Sequence, residues 1–142
     1  MCIRDSEGWL RWRLNQPERF NEAVLGKLLV RTESATSARC RIFPAVHLTN
    51  LTGAIHGGAT LGLIDLSLFA AAKVLCGIDA GGSVTLGIDT QFIGAGDPGK
   101  PLDAVVEILR ETGRLLFLRG LVVQDDALVA SFSASIRKPR KP

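Results

Sequence analysis

The chain has 142 residues, which suits one domain, and its 46% hydrophobic and 22% charged residues exclude a disordered chain. The net charge of +3 suggests a nucleic-acid partner, but it is local: without Arg137, Lys138, Arg140 and Lys141 the 17 basic residues fall to 13, against 14 acidic ones, a net of −1. The basicity is read as a solvated tail at 139–142, and no nucleic-acid partner is expected.

Residues 1–25 are expected to form an N-terminal helical segment, ahead of one main domain at 26–138. Met1 to Ser6 carry no usable pattern, and no basic-then-apolar leader opens the chain. Cys2, Cys40 and Cys76 are odd in number and show no C-x-x-C spacing. That favours thiols in a reducing compartment, so a cytoplasmic location is expected. From Glu7 to Leu14, the spacing of Trp9, Leu10 and Leu14 with Arg11 and Arg13 interleaved predicts a short amphipathic helix. Pro17 starts a second short turn or helix through Phe20 and Val24, which Gly26 ends.

Two strands follow, over Lys27–Glu33 and Ala38–Phe43, separated by a small polar turn. In the second, Ala38, Cys40 and Ile42 alternate with Arg39 and Arg41. After a loop from Ala45 to Ile55, the sequence His56-Gly57-Gly58 opens an apolar run that ends before Gly77. A helix is predicted from His56 or Gly57 to Leu75, apolar on nearly every face and therefore buried. Its length also approaches a membrane span, but Asp65 and Lys73 within it favour a core helix, so no membrane is expected. Four strands are then predicted, over Val84–Ile93, Leu102–Glu111, Arg114–Gln124 and Leu128–Arg137. The first places Leu86, Ile88 and Phe92 on one face and Thr85, Gly87, Asp89 and Gln91 on the other. Short turns between these strands argue for an antiparallel meander. The expected class is α+β, a curved antiparallel sheet around one central helix.

Several chemistries are excluded. Gly94-Ala-Gly96-Asp-Pro-Gly99 matches G-x-G-x-x-G, but a strand follows it where a dinucleotide site needs a helix. No G-x-S-x-G elbow exists. His47 and His56 with Asp65 suggest a metal site, but His56 and Asp65 are nine residues apart, about 900° of rotation and about 13 Å of rise on a helix, so they fall on opposite faces and cannot share an ion within one chain. The segment keeps two polar features: the backbone N–H groups at the helix start, which favour anions, and the carboxylate of Asp65 in apolar surroundings. If Gly57 N–H polarises a carbonyl while Asp65 acts on the same group, the two must lie a few ångströms apart. Helix rise keeps them more than about 10 Å apart in one chain. A catalytic reading therefore requires Gly57 of one subunit and Asp65 of another across a two-fold axis. The structural alternative is a helix acid bonded to a nearby Ser or Thr.

Asn50-x-x-Gly53-x-x-His56-Gly57-Gly58, with Asp65 nine residues after the histidine, resembles the signature of the PaaI-like hotdog-fold acyl-CoA thioesterases. The strand Thr85-Leu-x-Ile-x-x-Gln-Phe92, the turn Thr112-Gly-Arg114 and the small residues of the last strand agree with it. The resemblance covers about Gly26 to Lys138. It implies a hotdog fold, no cofactor or metal, and hydrolysis of an acyl-CoA to free acid and CoA. It also implies Asp65 as general base or nucleophile and the Gly57 N–H as oxyanion-hole donor. Gly58 gives close approach, Asn50 and His56 orient water or thioester, and the Thr85 hydroxyl helps hold the water. Leu61, Leu68 and Phe69 are expected to line the acyl pocket. Sites at a homodimer interface are implied, and many members pair dimers into tetramers. One departure is the segment after Phe92, which reads Ile-Gly-Ala-Gly rather than the commoner Arg-Pro type. The competing reading is a hotdog protein that binds an acyl-CoA or another acyl ligand without turnover. A hotdog hydratase is disfavoured, because its Asp and His five residues apart on the central helix are missing.

Overall fold

The computed structural model describes residues 2–4, 8–12 and 16–140. Eight strands form one antiparallel sheet: β1 (Cys2–Arg4), β2 (Leu10–Trp12), β3 (Leu28–Thr32), β4 (Ser37–Ile42), β5 (Val84–Phe92), β6 (Leu102–Glu111), β7 (Leu115–Gln124) and β8 (Ala127–Arg137). Their order across the sheet is β1-β2-β3-β4-β6-β7-β8-β5. One long helix, α1 (Gly57–Cys76), lies against one face of the sheet and touches β3 through β8. This is the hotdog arrangement that the resemblance implies.

Alternation builds the core. Val30, Ala38, Cys40, Ile42, Ala104, Val106, Leu118, Val122 and Ile136 turn to the helix and are at most 1% exposed. They meet Leu63, Ile64, Leu68 and Ala71 of α1, which are fully buried. By length and composition α1 would suit a membrane span. The sheet nevertheless wraps most of its faces. Gly77 ends it in the left-handed conformation (φ 68°), its N–H bonded to Lys73 O at 3.0 Å and that of Ile78 to Ala72 O at 3.2 Å.

Three expectations are corrected. The helix predicted over Glu7–Leu14 is not there: Leu10–Trp12 is a strand paired with β3, and Glu7, Arg13 and Leu14 lie outside the described residues. Its residues alternate, with Leu10 and Trp12 toward the core and Arg11 away from it. The Trp9 ring sits between two guanidiniums, Arg31 at 4.4 Å and Arg41 at 4.9 Å from its centroid. Second, Cys2–Arg4 is a strand that pairs with β2, where no pattern was visible. Among the described residues of 1–25 the helical part reduces to one π-turn at Asn21–Leu25, which Gly26 ends as expected. Third, the meander holds for β6, β7 and β8 but not for β5, which crosses over to lie beside β8 at the sheet edge.

Arg39 and Arg41 emerge from β4 on the outer face and grip Asp103 of β6, which is 5% exposed. Arg39 Nη1 donates to Asp103 Oδ2 at 2.8 Å, while Arg41 Nε and Nη2 donate to its two oxygens at 2.7 and 2.8 Å. Arg39 Nε also donates to Glu33 Oε1 at 2.6 Å. Burial pushes Glu33 up, but this hydrogen bond and the charges of Arg31 and Arg39 outweigh it and hold the carboxyl below its usual 4.5.

Candidate active site

The loop ahead of α1 is fixed before the helix begins. Asn50 Oδ1 accepts from Thr52 N (3.0 Å), Thr52 Oγ1 (2.7 Å) and Ala54 N (3.2 Å), closing a turn in which Gly53 takes φ 83°. His56 N–H donates to Leu48 O at 2.7 Å and Ile55 N–H to Gly96 O at 2.9 Å. Gly96 belongs to the loop that resembled a dinucleotide fingerprint. A Cβ there would come within 2.9 Å of Ile55, and one on Gly94 within 2.6 Å of Leu128 O, so these glycines permit close packing. Gln124, 5% exposed, clamps the same loop: it accepts from Asp97 N at 2.7 Å and donates to Asp97 O at 2.7 Å.

His56 caps the helix. Its backbone is extended (ψ 137°), and its Nδ1 accepts the Gly58 N–H at 2.8 Å. The neutral ring then carries its proton on Nε2. A Cβ on Gly58 would stand 3.0 Å from that Nδ1, so glycine makes room for the cap. The Gly58 N–H is thereby spent. Gly57 N–H is different: it has no acceptor inside the helix, and no hydrogen bond among the described residues takes it. The ring of Phe92, from the far end of β5, packs on Gly57, 3.4 Å from where a Cβ would be.

Asp65 lies two turns farther along, on the one stripe of α1 that the sheet leaves open. Gly58, Leu61 and Asp65 are exposed there, and Phe69 is half-buried. Thr85 Oγ1 donates to Asp65 Oδ1 at 2.6 Å. Strict alternation assigned Thr85 to the face opposite Ile88. The register of β5 against β8 slips between Thr85 and Gly87, so Leu86 is an extra residue and Thr85 and Ile88 share the inner face. An isolated glycine in a strand pattern is the sequence signal for such a bulge, and Gly87 supplied it.

The expected site residues thus fall into three groups. Asp65, Thr85, Gly58, Leu61 and Phe69 line one open surface, and the Gly57 N–H is a free donor at its end. His56 and Asn50 organise the approach to Gly57 through Nδ1 and Oδ1, which leaves Nε2 and Nδ2 for other partners. Leu68, expected beside Leu61 and Phe69, is instead fully buried in the core. His47 is engaged elsewhere, its Nε2 2.9 Å from Val24 O.

The thioesterase superfamily profile matches residues 52–131, more than half of the chain. No curated protein matches the chain. Among solved structures, a conserved protein from Pseudomonas aeruginosa is 25% identical, with 84% of this chain and 94% of that one covered and a TM-score of 0.69. The PaaI protein from the phenylacetic acid degradation operon of E. coli is 17% identical, with 86% of each chain covered and a TM-score of 0.72. A hypothetical thioesterase from Streptococcus pneumoniae, solved with coenzyme A, is 16% identical, with 77% of this chain and 87% of that one covered and a TM-score of 0.66. On the profile match, and with the PaaI-like architecture described above, the chain belongs to the thioesterase superfamily and has its hotdog fold.

Proposed function

We propose that the protein hydrolyses an acyl-CoA thioester to a free acid and CoA, in sites shared between two subunits. The observation that carries this reading is the pair on the open stripe: Asp65, held at 2.6 Å by Thr85 Oγ1, with the unused Gly57 N–H on the same helix. In this reading Asp65 either takes a proton from water as it attacks the thioester carbon or attacks that carbon itself. The Gly57 N–H of the partner subunit receives the developing oxyanion, aided by the positive end of the helix. The carbon–sulfur bond then breaks and the thiolate of CoA leaves and takes up a proton; where Asp65 itself attacks, water then hydrolyses the mixed anhydride to the free acid and restores the carboxylate. A solved relative that carries coenzyme A supports the substrate class.

The sharing follows from distances. Eight residues of helix separate Gly57 from Asp65, about 12 Å of rise. Phe92, which touches Gly57, and Thr85, which holds Asp65, likewise stand at opposite ends of β5. Among the described strands β5 is an edge. Two such edges joined antiparallel about a two-fold axis between Ile88 and Asp89 bring Thr85 opposite the Phe92 of the partner subunit. That register carries Asp65 of each chain toward Gly57 of the other. Leu61, Val84, Leu86 and Phe92, 39 to 55% exposed, supply the apolar cover such a contact needs.

The test is Asp65→Asn measured against a panel of acyl-CoAs with a thiol reagent. Wild type is expected to release CoA and the variant to lose at least about 100-fold in kcat while still folding. Full turnover in the variant sinks the assignment. Tight binding by wild type without thiol release gives the chain a binding role instead.

A further inference from the structure

A buried side chain holds the glycine-rich segment that follows Phe92. Residues 93–100 carry three glycines and Pro98, and Gly96 alone among them is buried. Such a run has little backbone stiffness of its own. At its start, the N–H groups of Ile93 and Gly94 donate to Val129 O at 2.8 and 3.1 Å. Its middle is gripped by Gln124, the last residue of β7 and 5% exposed. Gln124 Oε1 accepts the Asp97 N–H at 2.7 Å, and Nε2 donates to Asp97 O at 2.7 Å and to Lys100 O at 3.3 Å. The amide thus uses its acceptor and both donors, which is what its burial requires. By pairing with both the N–H and the C=O of Asp97, it does for the loop what a neighbouring strand does for a strand.

The held loop in turn braces the start of α1. Gly96 O accepts the Ile55 N–H at 2.9 Å, which among the described residues is the one hydrogen bond joining the loop to the segment ahead of the helix. Ile55 is 6% exposed, and it packs so closely on Gly96 that an added Cβ would meet its Cδ1, Cβ and Cγ1 at 2.9, 3.1 and 3.2 Å. Gly57 follows two residues later, so its N–H lies within about 7 Å of that of Ile55. The loop also begins where β5 ends at Phe92, whose ring packs on Gly57. A path of contacts therefore runs from Gln124 through Asp97, Gly96 and Ile55 to the Gly57 N–H.

We propose that Gln124 is a positioning residue: through this loop it fixes the Gly57 N–H that receives the oxyanion. The proposal rests on the thioesterase reading and adds to it a residue from another element, which acts only through the backbone it holds. An oxyanion donor works by being fixed before charge develops. A donor whose anchor shifts loses that advantage, and a displacement of about 1 Å costs up to about 10²-fold in rate.

The test is Gln124→Leu, which keeps the bulk and removes all three bonds, with Gly96→Ala as a second variant. Gly96 does not have a positive φ, and its added methyl would push on Ile55 while Gln124 stays bonded. Thiol release from acetyl-, hexanoyl-, palmitoyl- and benzoyl-CoA is measured on folded protein, and exchange of the Ile55 amide is followed by NMR. In both variants kcat is expected to fall about 10- to 100-fold with KM within about twofold, because the donor acts on charge that develops only in the transition state. The Ile55 amide should exchange at least about tenfold faster. The discriminating background is Gly57→Pro, which folds because proline suits the first position of a helix and which has no N–H left to place. There Gln124→Leu should change kcat less than about twofold, while lowering the melting temperature as much as it does in wild type. A purely structural role would lower the melting temperature and leave kcat unchanged. Unchanged kcat, or an equal fall in both backgrounds, overturns the positioning role and leaves the thioesterase reading intact. Unchanged exchange at Ile55 overturns it as well. Wild type that releases no thiol overturns the thioesterase reading; faster exchange at Ile55 in the variants then upholds the brace, and unchanged exchange removes both.

Discussion

Thr85 is the residue on which the carboxylate depends. Its hydroxyl donates to Asp65 at 2.6 Å, and the bulge at Leu86 puts it there. A hydrogen bond to a charged group is worth about 1.5–3 kcal/mol, so Thr85→Val should lower kcat about 10- to 100-fold. Thr85→Ser keeps the hydroxyl and should stay within a fewfold of wild type. Thr85 is only half-buried, so the Val variant should melt close to wild type. A Val variant with unchanged kcat would make the contact a structural one. The two glycines of His56-Gly57-Gly58 divide the labour in the same atom-by-atom way. Gly58 gives its N–H to His56 and its missing Cβ to the histidine ring, whereas the Gly57 N–H has no acceptor among the described residues.

At the scale of elements, the sequence was most legible where a period ran long enough to be unmistakable. The twenty residues of α1 and the long strands β6, β7 and β8 fall within a residue or two of their predicted limits. The three-residue strand β2 could not reveal a period, and the helical spacing of Trp9, Leu10 and Leu14 misled. It is made by non-local partners: pairing with β3 and the stacking of Trp9 between Arg31 and Arg41. Those guanidiniums belong to the network around Asp103, where a prediction can be made. Asp103→Asn keeps the shape but takes the carboxylate from Arg41 and leaves Arg39 with Glu33 alone. Removing one member of a closed pair costs 3–5 kcal/mol, and the side chains of Arg39 and Arg41 are 26% and 31% exposed, so about 2 kcal/mol is expected. Urea unfolding measures it, and a loss below about 0.5 kcal/mol would mean that solvent screens the network. In the candidate site, Asp65 and the helix start stood out from composition alone. Thr85 as a partner came from family resemblance, and its geometry from a bulge that alternation cannot describe. Leu68 is buried where Leu61, one heptad before it, is exposed, and an all-apolar helix does not announce that difference.

For the whole molecule, the decisive question is whether one site draws on two chains. Gly57 is the first residue of α1, and its N–H has no acceptor within the helix. Proline is favoured at that position, and the extended backbone of His56 (ψ 137°) suits a residue preceding proline. Gly57→Pro should therefore fold while deleting the one donor the mechanism needs. Its kcat is expected to fall by about 10²–10³, the usual cost of an oxyanion-hole donor. Asp65→Asn is expected to be inactive for an independent reason. If sites are shared, unfolding and refolding an equal mixture of the two variants creates mixed dimers. In each mixed dimer one site carries both defects and the other carries neither. Random pairing then restores about a quarter of the wild-type specific activity. If Asp65 and Gly57 of the same chain formed each site, every site in the mixture would keep one defect and no activity would return. The measurement is thiol release before and after mixing, with light scattering to show that dimers have formed. Recovery near a quarter supports a site shared between chains. Dimers that form without recovery place both groups in one chain and contradict the 12 Å that the helix sets between them.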